Sequence, residues 1–362
     1  MIAIVLKIGH VGVLATILIL VVSVPSAFAA VGDVVATTTM PTTSFCSIGI
    51  AVDNQATPRG YIDECFIGLI QQVNLITGAS LDSRDFSAEI PELPNAMAFD
   101  SSRGGNWICT QNAQTTPVFG MPIYFQDFQG TFNSLADDTV SQEFLITVPP
   151  AGDFSFNFCD GLAINLNGAG AADDRLYFSD DINDLTEIYD VFGTHIATIN
   201  NVPIDASLSS GSGLAVGGSF LYLANDGGGD VFRADLGANA NQPPFVDMFT
   251  SGDDRQEDME CDPLTFAPIE VMWVRTTPQG GAFPNVITAY EIAAQTCGVG
   301  GEPPIIPPPR VTAVGGEFIP IDATAVLIAG AQTNALSILS AFVVIGAIAF
   351  GTLYISVKRK RN

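Results

Sequence analysis

The sequence predicts an all-β fold: a β-propeller of five four-stranded blades, followed by one C-terminal transmembrane helix. Three observations point there. One order of parts recurs along residues 46–292: a small-residue apolar strand, a variable loop, an aromatic strand, an Asp/Gly/Asn turn and a third apolar strand. The recurrences start near residues 49, 97, 162, 214 and 260, and spacings of about 46–65 residues suit four-stranded blades with unequal loops. Segments such as "FLYLAND" and "VFRADL" alternate apolar and polar residues with the period of a strand, and little of residues 31–297 reads as a long amphipathic helix.

In chain order, the first copy reads "GIAVD", "GYIDEC" and "IQQVNLITG", and the second "AMAFD", "NWICT" and "PIYFQDF". The third, within residues 160–199, reads "GLAI", "RLYFSDD", "LTEIYD" and "HIATI". The fourth is the clearest, with "GLAV", "FLYLAND", "GGGDVFRAD" and "PPFVDMF"; the fifth carries "IEVMWVR" and "VITAYEI". Residues 128–158 are long enough to hold a sixth, poorer copy. "GDVVATT", residues 32–38, is the candidate strand for closing the ring with the last blade, since closure removes exposed sheet edges. A pair of β-sandwiches is the rival architecture, which the number of repeats disfavours. The order of parts resembles β-propellers of the NHL and YVTN-like type. That resemblance implies that the "GLAV" strands line a central channel, with "LYLAN" and "VFRAD" as the next two strands outward.

The two ends are specialised. Lys7 precedes the apolar run "VGVLATILILVVSV", and "PSAFAA" offers Ala27 and Ala29 in small-x-small spacing, so residues 1–29 read as a secretory signal peptide rather than an uncleaved anchor. The propeller domain is assigned to 30–297 and a Pro/Gly-rich linker with a membrane-proximal segment to 298–334. Residues 335–357 form the transmembrane helix and 358–362 a basic tail. The 23 uncharged residues Ala335–Val357 make a helix about 34 Å long at 1.5 Å per residue, enough for a hydrocarbon core of roughly 30 Å. Lys358, Arg359, Lys360 and Arg361 follow at once and hold the C-terminus in the cytoplasm. The expected location is therefore the cell membrane, single-pass, with the large domain outside. Between linker and span, Gly315, Gly316, Glu317, Pro320, Ile321, Asp322 and Thr324 make a "GGE-x-x-P-I-D-x-T" stretch. It resembles the membrane-anchor tails of surface proteins from ammonia-oxidising archaea. It is also similar to PEFG-CTERM sorting tails, though the PEFG tetrad is absent.

Between signal and tail there is no lysine, and 38 acidic residues face eight arginines, a net charge near −30. Such a surface repels nucleic acid and suits a saline medium or divalent cations. Cys46, Cys65, Cys109, Cys159, Cys261 and Cys297 lie in the exported part, an even number in an oxidising compartment, so three disulfides are expected. Fifteen pairings exist for six cysteines; Cys261–Cys297 is preferred because the two bracket one repeat. With a single exported histidine and no CxxC pair, a zinc site of His and Cys is disfavoured.

The acidic loops "SDDINDLTE", "NDGGGD" and "SGDDRQEDMECD" raise the question of calcium. Asp180, Asp181, Asp184, Asp226 and Asp230 are the candidate Ca²⁺ ligands, since Ca²⁺ collects six to eight oxygens. The competing reading is that Asp, Asn and Gly are there for tight hairpin turns. No catalytic or cofactor-binding residue is assigned. A channel metal in an extracellular hydrolase of lactonase or esterase type is the enzymatic alternative, drawing on Asp53, Asp100, Asp160, Asn165 and Glu260 near the inner strands. His195 in "FGTHIATI" reads as an outer-strand residue, and Trp107 and Trp273 as packing between blades. The leading expectation is a non-catalytic, membrane-anchored surface propeller for ligand binding, adhesion or envelope architecture. Its partners are the membrane and an extracellular ligand or envelope protein.

Overall fold

The computed structural model describes residues 30–40, 48–54, 58–64, 68–110, 120–130, 134–147, 158–166, 173–180, 183–201, 211–225, 228–236, 245–251, 256–276, 286–294 and 296–297. The expected signal peptide, linker, transmembrane helix and basic tail lie outside these residues, as do Cys46 and Cys65.

The described strands form five four-stranded antiparallel sheets, the blades of a propeller. The chain opens with β1 (Val34–Thr39) and then builds blade 1 from β2 (Ile50–Val52), β3 (Arg59–Glu64), β4 (Leu69–Asn74) and β5 (Ser80–Asp85). Blade 2 is β6 (Pro94–Asp100), β7 (Gly105–Thr110), β8 (Met121–Asp127) and β9 (Thr139–Ile146). Blade 3 is β10 (Phe158–Asn165), β11 (Arg175–Asp180), β12 (Leu185–Asp190) and β13 (His195–Asn200), and blade 4 is β14 (Gly211–Gly217), β15 (Phe220–Asn225), β16 (Asp230–Asp235) and β17 (Phe245–Thr250). Blade 5 takes β18 (Gln256–Asp262), β19 (Glu270–Thr276) and β20 (Val286–Ile292) from the end of the domain and β1 from its start. Thr37 pairs with Thr288 and Thr39 with Val286, so the first strand fastens the ring shut as "GDVVATT" predicts. The stretch with room for a sixth copy instead supplies β9, the outer strand of blade 2.

Burial follows position in the blade. The inner strands are buried on both faces, and in blades 2 and 4 mostly apolar, because each is packed between two neighbouring blades as well as against its own sheet. The outermost strands are largely exposed, as in β5 and β13. The core is divided accordingly into five clusters, each made by two adjacent blades. Blades 1 and 2 share Tyr61, Met97, Ile108 and Phe128, and blades 2 and 3 share Trp107, Phe125, Leu162 and Phe178. Leu214, Leu223 and Phe232 meet Tyr177 and Ile188 between blades 3 and 4, and Tyr222 and Val231 meet Met272 and Tyr290 between blades 4 and 5. Trp273 and Ile287 close the circle on Ile50 and Ile62. Trp107 and Trp273 are thus inter-blade packing residues, as their place in the aromatic strand predicts. Apolar burial of this size, at about 25 cal/mol per Å², is what holds each blade to the next, since no blade can cover its own two faces.

Two disulfides join described residues, Cys109–Cys159 and Cys261–Cys297. The first ties β7 of blade 2 to β10 of blade 3. The second, the pairing preferred from the sequence, ties inner strand β18 to the chain just beyond β20.

Candidate functional site at the propeller axis

Four of the five inner strands share one residue pattern: a small residue, an apolar residue, alanine, an apolar residue, and a turn-forming residue. It reads Gly49-Ile50-Ala51-Val52-Asp53, Ala96-Met97-Ala98-Phe99-Asp100, Gly161-Leu162-Ala163-Ile164-Asn165 and Gly213-Leu214-Ala215-Val216-Gly217 in blades 1 to 4. The alanine sits opposite the aromatic residue of the second strand in each: Ala51 with Tyr61, Ala98 with Trp107, Ala163 with Tyr177 and Ala215 with Tyr222. Small residues are needed because the strands converge. A Cβ on Gly161 would stand 2.3 Å from the Ser212 carbonyl oxygen, and one on Gly49 would stand 2.2 Å from that of Asn95.

Blade 5 breaks the pattern at both small positions. Its inner strand reads Asp258-Met259-Glu260-Cys261-Asp262, with Glu260 opposite Trp273 in the alanine position. Asp258 is fully buried and accepts backbone N–H groups from three other blades: Oδ2 from Ile50 at 3.0 Å and Met97 at 3.1 Å, Oδ1 from Leu162 at 3.3 Å. These donors are equivalent residues, each following the small residue of its strand. They point inward from an edge that no sheet neighbour covers, so they require an acceptor. One carboxylate on the axis serves three of them. Burial pushes the Asp258 carboxyl well above the usual carboxylate range, against the pull of the three N–H groups.

Glu260 lies one step along the axis and is the one residue of β18 that is not fully buried. Its Oε2 accepts the Phe99 N–H at 3.1 Å. Burial pushes it up to about 8, opposed first by the N–H groups of Phe99 and Cys261 and reinforced by the charge of Asp262. It lines a cavity of about 70 Å³ at the mouth where the inner strands end. Every blade contributes to the wall: Asn54, Phe99 and Ser101, Asn165, Val216, and Glu260 itself. The Cys261–Cys297 disulfide forms part of the rim. Gly217 is glycine for that reason: a Cβ there would come within 2.4 Å of Cys261 Sγ and 2.8 Å of Cys297 Cα.

The other candidate acids are committed elsewhere. Asp100 accepts the Trp107 indole N–H at 3.1 Å and caps its turn through the Ser102 and Arg103 N–H groups. Asp262 repeats the device with Trp273, Leu264 and Thr265. Asp53 forms a buried ion pair with Arg59 at 2.9 Å. Asp160 lies at the opposite end of its strand, where it accepts Asn95 Nδ2 at 3.0 Å. Of the five channel candidates, Glu260 and Asn165 reach the mouth. Asn54 is the mouth residue that inspection of the inner strands missed; it follows the strand end, at a φ of 49°, and its buried Oδ1 has no hydrogen-bond partner among the described residues.

At the far end of the axis a second set of ionisable groups is buried. Asp63 Oδ1 accepts the Gly49 N–H at 2.8 Å, and Arg275 Nη1 donates to the Gly49 carbonyl at 3.4 Å. Burial raises Asp63 to about 8 although Arg275 opposes it. These side chains lie between blades 1 and 5, where the ring closes.

Of the candidate calcium ligands, Asp180 ends β11, Asp184 lies in the turn before β12 and Asp230 begins β16. Asp180 accepts the backbone N–H and the side-chain amide of Asn183, Asp184 takes a left-handed φ of 52°, and Asp230 accepts the Thr250 hydroxyl at 2.5 Å. Asp181 and Asp226 lie outside the described residues. Among the described residues no three His, Cys, Asp or Glu side chains gather as a metal shell requires. His195 stands on outer strand β13, with Nε2 2.9 Å from buried Glu187, and Thr198 donates to the same carboxylate at 2.7 Å.

The fold and its axis define a five-bladed β-propeller with an acidic inner strand in its closing blade. No family model matches the chain, and no curated protein matches it by sequence. Solved structures resemble it distantly. The PQQ-bound aldose sugar dehydrogenase of Streptomyces coelicolor is 14% identical over 72% of this chain and 98% of its own, with a TM-score of 0.41. The glutaminyl cyclase of Myxococcus xanthus is 10% identical over 72% and 97%, with a TM-score of 0.45. A nidogen/laminin complex is 15% identical over 53% and 60%, with a TM-score of 0.35. At such identities activity does not transfer, and the propeller stands on its own strand pairing.

Proposed function

We propose that the chain is a single-pass cell-surface protein whose propeller binds a ligand outside the cell and performs no chemistry of its own. One observation carries the reading: the axis is closed from within by Asp258, leaving a mouth built by all five blades around Glu260, the one carboxylate among its described lining residues. A rigid closed ring with a walled depression is a binding platform. The signal-like N-terminus and the stop-transfer pattern at residues 335–361 support display outside a membrane. The "GLAV" inner strands support kinship with NHL and YVTN-like propellers, and the membrane-proximal motif supports an archaeal surface protein. Protease shaving of intact cells tests the display: it is expected to release a disulfide-bonded propeller cut between residues 298 and 334. Protection of the domain in whole cells would defeat it.

A second reading has one observation in its favour. Asn54, Asn165 and Glu260 come to the mouth from blades 1, 3 and 5, and two amides with a carboxylate are oxygen donors suited to a hard cation. A metal-dependent hydrolase would then show Ca²⁺-stimulated cleavage of lactones or aryl esters, lost in Glu260→Gln. No such activity is expected from a binding module.

A further inference from the structure

We propose that the axial mouth binds a small organic ammonium ion, a primary alkylammonium whose charged head is held by Glu260. This deepens the binding-platform reading and rests on it. Among the described residues the mouth is lined by one ionisable group, Glu260; the described residues contributed by β2, β6, β10 and β14 and the turns after them are amides, a hydroxyl, glycines and apolar side chains. The neighbouring acids do not compete for the ligand. Asp53 is paired with Arg59, Asp100 and Asp262 hold indole N–H groups, and Asp258 is enclosed by three backbone donors. Among the described residues no basic side chain lines the cavity, so an anion would meet a carboxylate there with no cation beside it.

Two features select an ammonium over a bare ion. The Asn54 Oδ1 is a buried acceptor without a partner among the described residues, and a primary ammonium brings three N–H donors to satisfy it together with Glu260. The wall opposite is apolar, with Phe99, Ile164, Leu166 and Val216, which suits an alkyl stem and would strip water from a metal ion without replacing it. Size sets the limit. A cavity of about 70 Å³ is about half the roughly 150 Å³ that accepts benzene, so the ligand has only a few heavy atoms. The exterior charge near −30 concentrates cations at the surface and speeds their arrival.

The test is a thermal-shift and calorimetric titration of the full-length protein in detergent with ethylammonium chloride, against ethanol, sodium chloride and calcium chloride. Ethylammonium is expected to raise the melting temperature saturably, and ethanol and sodium chloride to leave it unchanged. Because Glu260 is raised toward 8 and a cation binds its ionised form, the affinity should rise about tenfold per pH unit between 6 and 7.5 and level off above about 8.5. Glu260→Gln, which keeps an acceptor for Phe99, should abolish the shift. If that variant does not fold, Ser101→Trp, an exposed rim substitution, should block the mouth without altering the melting temperature of the free protein. Saturation by calcium and not by ethylammonium would overturn the inference in favour of a metal site. A flat response to every solute would overturn it outright, while release by protease shaving would leave the display reading standing.

Discussion

Blades 4 and 5 run the same inner-strand course with opposite chemistry. Blade 4 has Gly213 and Ala215 at the two positions where blade 5 has Asp258 and Glu260. Near the axis the five strands stand so close that a side chain from each would collide, yet their inward N–H groups need acceptors. One blade supplying two carboxylates while four supply almost nothing meets both demands. The symmetry of the fold is therefore broken by chemistry at the blade that also closes the ring.

The largest expected effect comes from removing the central acceptor. Asp258→Ala leaves the N–H groups of Ile50, Met97 and Leu162 buried without a partner, at about 1–3 kcal/mol each; the protein should fail to fold or melt far below the wild type. Asp258→Asn should be milder, since one oxygen still accepts. Placing the acid in the wrong blade tests the same point from the other side. Gly213→Asp should destabilise strongly, because its Cβ would already meet Met259 Cγ at 3.1 Å and Ala224 Cβ at 3.2 Å. A stable, folded Gly213→Asp protein would show that the axis has room to spare.

Next in size is the disulfide at the mouth. Cys261→Ser with Cys297→Ser should cost about 2–4 kcal/mol, read as a lower midpoint in guanidinium chloride. An unchanged midpoint would mean that the Glu270 bonds to Thr296 and Cys297, 2.8 Å each, hold that segment alone.

Acidity gives a third test. Asp63, Asp138 and Glu260 are raised by burial to about 8, 7 and 8. A carboxyl with a raised folded-state pKa favours the fold fully below its unfolded value near 4, and that contribution is lost as pH rises through the folded value. The melting temperature should therefore fall as pH rises from 5, most steeply between about 5 and 7, and level off above about 8.5. Glu260→Gln should flatten part of the slope, whereas an acid-labile protein would contradict the sign.

Smaller effects belong to the turns. Asp100→Ala and Asp262→Ala should each cost on the order of 1 kcal/mol and shift the fluorescence of one tryptophan, because each acid holds an indole N–H. Chelation by EGTA is expected to change the melting curve least. Asp180 and Asp230 are bonded within their own blades, and a clear drop would mean that acidic turns of neighbouring blades share calcium.

Much of the ring was legible in the chain. The inner strands begin close to the residues at which the repeats were placed, "GDVVATT" closes the last blade, and Cys261 meets Cys297. The clue to the axis was also present, once "GIAVD", "AMAFD", "GLAIN", "GLAVG" and "DMECD" are set in columns. Read singly, "DMECD" is one more acidic loop among several. The other inner-strand acids misled for a related reason: Asp53, Asp100 and Asp160 look equivalent to Glu260 in composition, but Asp53 and Asp100 reach their own turn or second strand first, and Asp160 stands at the other end of its strand against Asn95 of blade 2.

The sequence by itself determined the period, the order of strands in each blade and the sites of the small residues, because these follow from local alternation, turn chemistry and repetition. Only the tertiary structure decided which acid stands on the axis, which amides it serves and that Asn54 joins Glu260 at the mouth. Those facts depend on strands up to 208 residues apart in the chain, as Ile50 and Asp258 are, and no local pattern fixes how closely five separate strands approach.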